Sequence, residues 1–249
     1  FPGEQMELVR RIISTKIPVA LILFNGRPLT IAELDVIAPA ILETWYGGTQ
    51  AGNAVADILF GDVNPSGKLA MTFPRSVGQI PVFYNSKNTG RPFNPDLPKD
   101  YFKSRYQDIP NTPLYPFGFG LGYTTFELGD PATVGEPSAP RVSVVVRNTG
   151  ERDGADVVQV YARRGSAQRR RLAGFARVEV PAGGEIVERR ACLLEREHLV
   201  DLRLHAVRIE RAQQVFEHAP AAGGDALQHH VLADQRAETH APRRRPAEP

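Results

Sequence analysis

Residues 18–60 read PVALILFNGRPLTIAELDVIAPAILETWYGGTQAGNAVADILF, and this stretch decides the fold of the first part of the chain. Two short apolar runs, Val19–Phe24 and Ala40–Trp45, have the length and composition of buried strands. Apolar side chains at helical spacing separate them at residues 31–37 and follow them across Ala51–Phe60. Strands that alternate with helices predict a parallel sheet with helical crossovers, which is an α/β fold.

The residues before this stretch predict one more helix and no further strand. Residues 5–14 place apolar side chains at helical spacing, and Pro18 separates that helix from the first strand. Two strands alone do not make a stable sheet, so we expect part of this domain to lie before Phe1. No leader sequence with a charged and then an apolar region follows Phe1. We therefore interpret the chain as the middle and end of a longer protein.

The next segment, residues 61–126, shows little periodicity but many prolines and aromatic side chains. A free loop of this length is unusual in a compact domain. Its aromatic residues are also too many for a solvated linker. We interpret the segment as an ordered strap that packs over another surface.

From Arg141 the apolar period changes to two. Alternating valines at residues 141–146 predict a strand, and Val157–Ala162 and Gly174–Val180 predict two more. Turn residues lie at 148–150 and at 181–184. Short strands at this spacing indicate a β-sandwich, so the chain is predicted to be α/β followed by all-β.

Composition limits the classes of function. Of the 249 residues, 42% are hydrophobic and 23% charged, which is enough to bury a core. The net charge of +2 gives no reason to expect nucleic acid or an anionic membrane as partner. No apolar run reaches the roughly 18 to 20 residues of a membrane helix. Cys192 is the only cysteine, so neither an internal disulfide nor a cysteine-based metal site is expected.

Composition also changes sharply along the chain. All six histidines lie at or after His198, all five lysines lie at or before Lys103, and among aromatic residues only Phe216 follows Phe175. Apolar alternation is thin after the last predicted turn. We expect the region beyond about residue 210 to be irregular and the sandwich to be incomplete. A frameshifted gene would explain the change, and a divergent C-terminus is the alternative.

Three motifs suggest ligand-binding sites, but each matches the pattern of such a site poorly. Gly118–Gly122 (GFGLG) is similar to a nucleotide-binding fingerprint, but no strand leads in and no helix follows, so a tight aromatic turn is favoured. His218, His229-His230 and His240 lack the spacing of a metal site and are interpreted as a solvated tail. Arg169–Arg171 is interpreted as a solvated strand end or loop, with a phosphate site as the alternative.

Carboxylates are the remaining catalytic groups. A retaining glycosidase needs two of them about 5 Å apart on either side of the scissile bond. Glu43, Asp57, Asp62 and Asp108 are candidates, but nothing in their spacing selects a pair. Residues alone therefore predict an α/β part, an aromatic strap and a β-sandwich, without a catalytic site.

An ordered set of motifs resembles one family. Over residues 1 to 184 the chain is similar to family 3 glycoside hydrolases, in the bacterial periplasmic β-glucosidase branch. The resemblance is carried by PVALILFNGRP at 18–28, ETWYGG at 43–48, GNAVADILFGD at 52–62, NPSGKL at 64–69, FPRSVGQIP at 73–81, TGRPFN at 89–94, SRYQD at 104–108 and PLYPFGFGLGYTTF at 113–126.

The resemblance implies three modules: a TIM barrel, an α/β sandwich and a fibronectin type III-like β-sandwich. Residues 1–75 would be the C-terminal half of the α/β sandwich domain, and residues 76–126 the strap along the barrel interface. Residues 127–210 would form the fibronectin type III-like sandwich. Residues 211–249 would be the irregular or disordered tail.

The resemblance also implies where the site residues lie. The family's aspartate nucleophile belongs to the barrel, and its acid/base glutamate precedes the segment that resembles Phe1–Gly3. Neither is expected in this chain, so no catalytic role is assigned to a numbered residue. Arg105, Tyr106 and Asp108 are the candidate substrate-binding residues, and packing within the strap is their alternative role.

The function implied by the resemblance is hydrolysis, with retention, of terminal non-reducing β-D-glucosyl residues. The chain by itself is expected to be inactive. We expect a β-glucoside or oligosaccharide as substrate, no cofactor, no metal, no nucleic-acid partner, and a periplasmic or secreted location. The resemblance admits a homodimer of the full-length enzyme and does not separate glucosidase from xylosidase. A non-catalytic carbohydrate-binding or scaffold module is the alternative function.

Overall fold

The computed structural model describes residues 2–87, 90–92, 102–135, 141–162 and 171–191. Helices and strands alternate in its first part as predicted: α1 (Gln5–Ser14), β1 (Ala20–Leu23), α2 (Ala32–Ile37), β2 (Ala40–Glu43) and α3 (Ala51–Phe60). β1 and β2 pair in parallel, from Ala20 opposite Ala40 to Leu23 opposite Glu43. This pairing confirms the predicted parallel sheet.

Apolar side chains between the helices and the sheet form the first core. Leu23 of β1, Leu34 of α2 and Phe73 are each at most 4% exposed. Met6 and Val9, on one face of α1, pack against this cluster. Burying a side chain of this size contributes about 1.5–3 kcal/mol. Part of the apolar pattern that predicted α1 therefore packs on the core, while Leu8 and Ile12 of the same pattern are 57% and 43% exposed.

The second part consists of antiparallel strands. They are β3 (Phe126–Leu128), β4 (Ala132–Val134), β5 (Arg141–Asn148), β6 (Gly154–Ala162), β7 (Arg171–Val180) and β8 (Glu185–Ala191). β3 and β4 pair with opposite ends of β5, and β8 pairs with β5 along residues 185–191. β6 and β7 pair with each other. The predicted change to an all-β arrangement is confirmed at this level.

The second core is built by the alternation in β5 and its partners. Val144 and Val146 of β5 are buried together with Val178 and Val180 of β7 and Val158 of β6. Every second residue of β5 is buried, as a strand of period two requires. The valines that predicted the strand are therefore the residues that fill the core.

Asn148 closes the turn after β5 and is only 1% exposed. Its Nδ2 donates to the carbonyl oxygens of Arg152 at 2.8 Å and Val180 at 3.0 Å. Its Oδ1 accepts from Thr124 Oγ1 at 2.6 Å and from the Gly150 N–H at 3.1 Å. A buried amide needs partners of this kind, so the predicted turn at 148–150 is also a hydrogen-bonded link between strands.

The described part of segment 61–126 folds back on itself. Leu69 N–H donates to Phe119 O, and Gly118 N–H donates to Leu69 O, both at 2.7 Å. Phe73 and Tyr115 form an antiparallel bridge. The segment is therefore ordered where it is described, with its two ends paired side by side.

The structure adds strands that the sequence pattern did not predict, namely β3, β4 and β8. The region beyond residue 210, where an irregular tail was predicted, lies outside the described residues, as does Cys192. Among the described residues, no helix combines the length and apolar character needed to cross a membrane.

Candidate functional site

The predicted substrate-binding residues lie near the start of the described range 102–135. Asp108 is exposed, Arg105 is partly buried and Tyr106 is 38% exposed. The Tyr106 N–H donates to Asn111 Oδ1 at 3.0 Å. The chain thus closes on itself between residues 106 and 111, which holds Tyr106 and Asp108 in one loop and places Arg105 directly before it.

Gln79 anchors the end of this loop from inside the protein. It is 2% exposed, and its Nε2 donates to the carbonyl oxygens of Pro110 at 2.9 Å and Thr112 at 3.3 Å. Its Oε1 accepts from the Arg75 N–H at 2.6 Å. The Gln79 Nε2 thus holds residues 110–112, while its Oε1 holds the backbone of Arg75.

A second cluster of polar groups lies at the carboxyl ends of β1 and β2. Glu43 Oε1 accepts from the Trp45 N–H at 2.9 Å, and Oε2 accepts from Asn25 Nδ2 at 3.2 Å. Asn25 Nδ2 also donates to Arg27 O at 2.8 Å. Asn25 Oδ1 is buried and has no hydrogen-bond partner among the described residues. Side chains from two neighbouring strand ends thus meet at one corner of the sheet.

Burial raises the pKa of Glu43 above its usual value, and the hydrogen bonds from Trp45 and Asn25 offset only part of that effect. Desolvation disfavours the charged carboxylate, whereas donors that point at it favour the charge. Glu43 therefore takes up a proton at a higher pH than an exposed glutamate. Its two carboxylate oxygens accept hydrogen bonds from the Trp45 N–H and from Asn25 Nδ2.

The residues after Glu43 turn sharply and present an aromatic ring. Trp45 has a φ of +54°, in the left-handed region, and its ring centroid lies 6.0 Å from that of Phe73. Tyr46 lies directly on Gly26, where a Cβ atom would overlap its ring. Tyr46 is nevertheless 82% exposed. Gly26 is therefore the residue that lets the two strand-end loops approach each other.

An open depression lies on the surface between the loop at residues 47–50 and the first turn of α3. It has a volume of about 440 Å³ and is lined by Gly47, Gly48, Thr49, Gln50, Ala51 and Ala54. A second cavity, of about 10 Å³, lies among apolar residues of the β-sheets and Gln159. Neither of these two cavities is lined by a carboxylate.

The structure does not bring the candidate carboxylates into these cavities. Glu43 faces Asn25 and the Trp45 backbone, while Asp57, Asp62 and Asp108 are exposed. Within the described ranges, no group of three or more His, Cys, Asp or Glu side chains is arranged to hold a metal ion. Nothing in the described residues therefore supplies the two facing carboxylates of a retaining glycosidase.

The glycines of the GFGLG motif have a packing role. A Cβ atom at Gly118 would overlap Gln159, and one at Gly120 would overlap the carbonyl of Gly67. Gly118 also has a φ of +82°, which favours glycine. Of the arginine motif, Arg171 begins β7, and Arg169 and Arg170 lie outside the described residues together with all the histidines.

The corner formed by Asn25, Gly26, Glu43 and Tyr46 was not recognised as a site from the sequence. One signal was available, because residues at the carboxyl ends of adjacent parallel strands meet at one edge. That rule places Asn25 beside Glu43. The contact between Tyr46 and Gly26 depends on loop geometry that the sequence does not specify.

Residues 1–123 match the family described as the glycosyl hydrolase family 3 C-terminal domain. A periplasmic β-glucosidase of Salmonella typhimurium is 50% identical over 191 residues, which are 73% of this chain and 25% of that protein. A β-xylosidase of Formosa agariphila is 47% identical over 189 residues, again 73% of this chain and 25% of the relative. The chain thus spans about a quarter of the length of these curated relatives.

Solved structures agree with the sequence relatives. A β-glucosidase of Listeria innocua in complex with isofagomine superposes with a TM-score of 0.72 at 39% sequence identity. The match covers 77% of this chain and 28% of the Listeria chain. A β-glucosidase of Erythrobacter marinus matches with a TM-score of 0.67 at 40% identity, covering 82% of this chain and 27% of that one.

Proposed function

Because residues 1–123 match the family described as the glycosyl hydrolase family 3 C-terminal domain, we propose that this chain is the C-terminal part of a retaining β-glucosidase. The enzyme would hydrolyse terminal non-reducing β-D-glucosyl residues. The observation that carries the proposal is the 50% identity to a periplasmic β-glucosidase over 191 residues. The identity of 47% to a β-xylosidase makes a β-xyloside the second substrate to be tested.

The chemistry we propose for the whole enzyme needs two carboxylates. An aspartate attacks the anomeric carbon to form a glycosyl-enzyme, and a glutamate first protonates the leaving group and then activates water. Both groups are assigned to the part of the enzyme that the family resemblance places upstream of this chain. The described residues would contribute scaffold and substrate contacts.

We propose that residues 1–75 are half of an α/β sandwich, that 76–126 are a strap, and that 127–210 form an incomplete fibronectin type III-like sandwich. The antiparallel sheets that share a valine core support the last assignment. The paired ends of segment 61–126 support the strap. Both assignments agree with the sequence, in which residues 61–126 show little periodicity and apolar residues take a period of two from Arg141.

Arg105, Tyr106 and Asp108 are proposed as substrate contacts of the assembled enzyme. Their support is the loop that Gln79 and Asn111 hold in place. An exposed loop that is fixed from within is suited to contact a ligand. A periplasmic or secreted location is proposed from the name of the Salmonella relative, and a homodimer of the full-length enzyme is proposed from the family resemblance alone.

The experiment that tests the proposal is a reading of the gene upstream of the Phe1 codon. An in-frame barrel sequence with an aspartate nucleophile and an acid/base glutamate is the expected result. A start codon followed directly by a secretion signal would contradict it and would favour a non-catalytic carbohydrate-binding or scaffold module.

A further inference from the structure

The loop after β1 contains a pair of residues that can react with each other. Asn25 is the only asparagine of the chain that is followed by glycine. In such a pair the backbone nitrogen of the glycine can attack the side-chain amide carbon of the asparagine, because no Cβ atom hinders the approach. Gly26 is exposed, and among the described residues no hydrogen bond occupies its N–H. The attacking nitrogen is therefore available in the folded chain.

The Asn25 side chain is turned along the backbone that would attack it. Its Nδ2 donates to Arg27 O at 2.8 Å, and this hydrogen bond spans the Gly26 peptide. Its Oδ1 is buried and has no hydrogen-bond partner in the part of the chain that the structure describes. A buried polar atom without a partner is unfavourable, so the fold does not fully satisfy this amide.

Glu43 lies at the atom that would leave. Its Oε2 is 3.2 Å from Asn25 Nδ2, which is within the reach of about 2.6–3.2 Å that proton transfer needs. The Trp45 N–H donates to the other carboxyl oxygen of Glu43 at 2.9 Å and holds the group in this orientation. Burial raises the pKa of Glu43, so its carboxyl group keeps a proton at a higher pH than that of an exposed glutamate.

We propose that Asn25 is a site of spontaneous deamidation in the folded chain, with Glu43 as the general acid. The Gly26 nitrogen loses its proton to water and forms a bond to Asn25 Cγ. In the tetrahedral adduct Nδ2 is an amine with a lone pair, which takes a proton from Glu43. The Cγ–Nδ2 bond then breaks, ammonia leaves, and Glu43 regains a proton from water. Water opens the resulting succinimide ring to give aspartate or isoaspartate at position 25.

The product changes the corner where the ends of β1 and β2 meet. A new carboxyl group faces that of Glu43, and two carboxylates at one site are not easily both ionised. The hydrogen bonds that Asn25 Nδ2 donates to Glu43 and to Arg27 O are lost with the ammonia. The reaction thus replaces a donor by an acidic group at a half-buried position.

The test is incubation of the full 249-residue chain at neutral pH in water that carries heavy oxygen, followed by peptide mapping with mass spectrometry. The Asn25 peptide is expected to gain the mass of an acid in place of an amide, with one labelled oxygen. The label separates this reaction from deamidation during digestion in ordinary water. An isoaspartyl methyltransferase should label part of the product. Asn53 and Asn148, which precede alanine and threonine, are internal references and should keep their amides.

Variants test the part played by Glu43. Glu43→Gln cannot supply the proton and should slow the loss of the Asn25 amide at least about tenfold, since a positioned general acid commonly contributes more than that. Glu33→Gln is the matched control, because the Glu33 carboxylate is exposed and bonded to Arg10, and it should leave the rate unchanged. Circular dichroism checks that each variant is folded.

A second comparison does not depend on any variant. In urea Glu43 no longer lies beside Asn25, so the folded chain should lose the Asn25 amide faster than the unfolded chain. The proposal is overturned if the folded chain reacts no faster than the chain in urea, or if folded Glu43→Gln reacts as fast as the unmodified chain. Neither readout involves glycoside hydrolysis, so this proposal and the proposed function stand or fall separately.

Discussion

Lys68 and Asp156 show how a single pair of residues ties the two parts of the chain together. The Lys68 ammonium lies 2.8 Å from Asp156 Oδ1, and the two side chains are only 16% and 9% exposed. Lys68 also donates to the carbonyl of Gly120 at 2.8 Å. Removing Lys68 takes its ammonium away from the nearly buried Asp156 carboxylate, which is costly because the charge stays buried.

Lys68→Met is therefore expected to lower the free energy of unfolding by about 3–5 kcal/mol, measured by urea denaturation of the full chain. Adding Asp156→Leu should restore part of the loss, because the buried carboxylate is then removed as well, while Gly120 O still lacks the Lys68 donor. Arg147→Ala is the control, since the Arg147–Glu185 pair is 52% and 56% exposed and should contribute less than about 1 kcal/mol. A folded Lys68→Met chain of unchanged stability would refute this role.

Glu43 gives a pH-dependent prediction. Burial raises its pKa in the folded chain above the ordinary value of 4.5, so the folded state binds this proton more tightly than the unfolded state. The stability from this group is fully present below pH 4.5 and is lost as the pH rises through the raised pKa. Glu43→Gln cannot ionise, and it keeps an acceptor for the Trp45 N–H.

The free energy of unfolding of Glu43→Gln, relative to that of the unmodified chain, should therefore increase between pH 4.5 and pH 7. Urea unfolding at both pH values measures this difference, and other titrating groups cancel because both proteins contain them. An equal difference at the two pH values would mean that Glu43 has the same pKa in the folded and unfolded states.

At the scale of elements, the sequence predicts what a repeated local pattern determines. The ten-residue helices α1 and α3 and the valine alternation of β5 were predicted because several turns or residue pairs report the same period. β3 and β4 have three residues each, too few for an alternation to be seen. β8 is crowded with charged residues and is held by its backbone pairing with β5, which no side-chain pattern reveals.

The candidate sites also differ in whether a sequence pattern could reveal them. Arg105, Tyr106 and Asp108 came from a resemblance between ordered motifs, and their role stays a prediction. The contact of Tyr46 with Gly26 joins two loops, so it depends on how β1 and β2 are aligned. Only the fold brings such residues together, which is why the sequence did not point to them.

Gln79 allows the loop at 106–112 to be tested as one element. Gln79→Leu leaves the Arg75 N–H and the carbonyls of residues 110 and 112 without the amide. Thr112 O keeps its hydrogen bond from Arg75 Nε at 3.0 Å, so the loss at the Arg75 N–H and at Pro110 O should lower the free energy of unfolding by about 1–3 kcal/mol. The Tyr106 amide should also exchange its hydrogen faster, because Asn111 lies in the released loop.

Urea unfolding and hydrogen exchange monitored by NMR measure both effects. Asn53→Ala is a matched control, because it removes an exposed amide that donates a hydrogen bond to the Gln50 side chain, and it should change neither quantity. Unchanged exchange at Tyr106 in Gln79→Leu would show that the loop does not depend on this anchor.

For the whole molecule, polar contacts link segment 61–126 to the antiparallel sheets. Asn64 Nδ2 donates to Asp153 O at 3.0 Å, and Gln159 Nε2 donates to Gly118 O at 3.2 Å. The Tyr84 hydroxyl accepts from the Leu172 N–H at 3.2 Å, and the Tyr84 ring stacks on Phe117. The described part of the chain is thus a connected scaffold, and none of these contacts holds a catalytic carboxylate.

The purified 249-residue chain is accordingly expected not to hydrolyse aryl β-D-glucosides or aryl β-D-xylosides. Neither of its two described cavities is lined by a carboxylate, and retaining hydrolysis needs two. Release of the aryl group is measured by absorbance, with a preparation from cells that carry an empty vector as the control. Turnover that exceeds this control and survives further purification would contradict the expectation.

The most direct test of the central claim is a chimeric enzyme. In the Salmonella periplasmic β-glucosidase, the segment that aligns over 191 residues is replaced by the corresponding residues of this chain. The account predicts a folded chimera that hydrolyses aryl β-D-glucosides and releases the β-anomer of glucose first, as NMR can show. The same enzyme with the segment deleted should be inactive. A folded chimera that is no more active than the deletion variant would contradict the claim that this chain is the C-terminal part of a β-glucosidase.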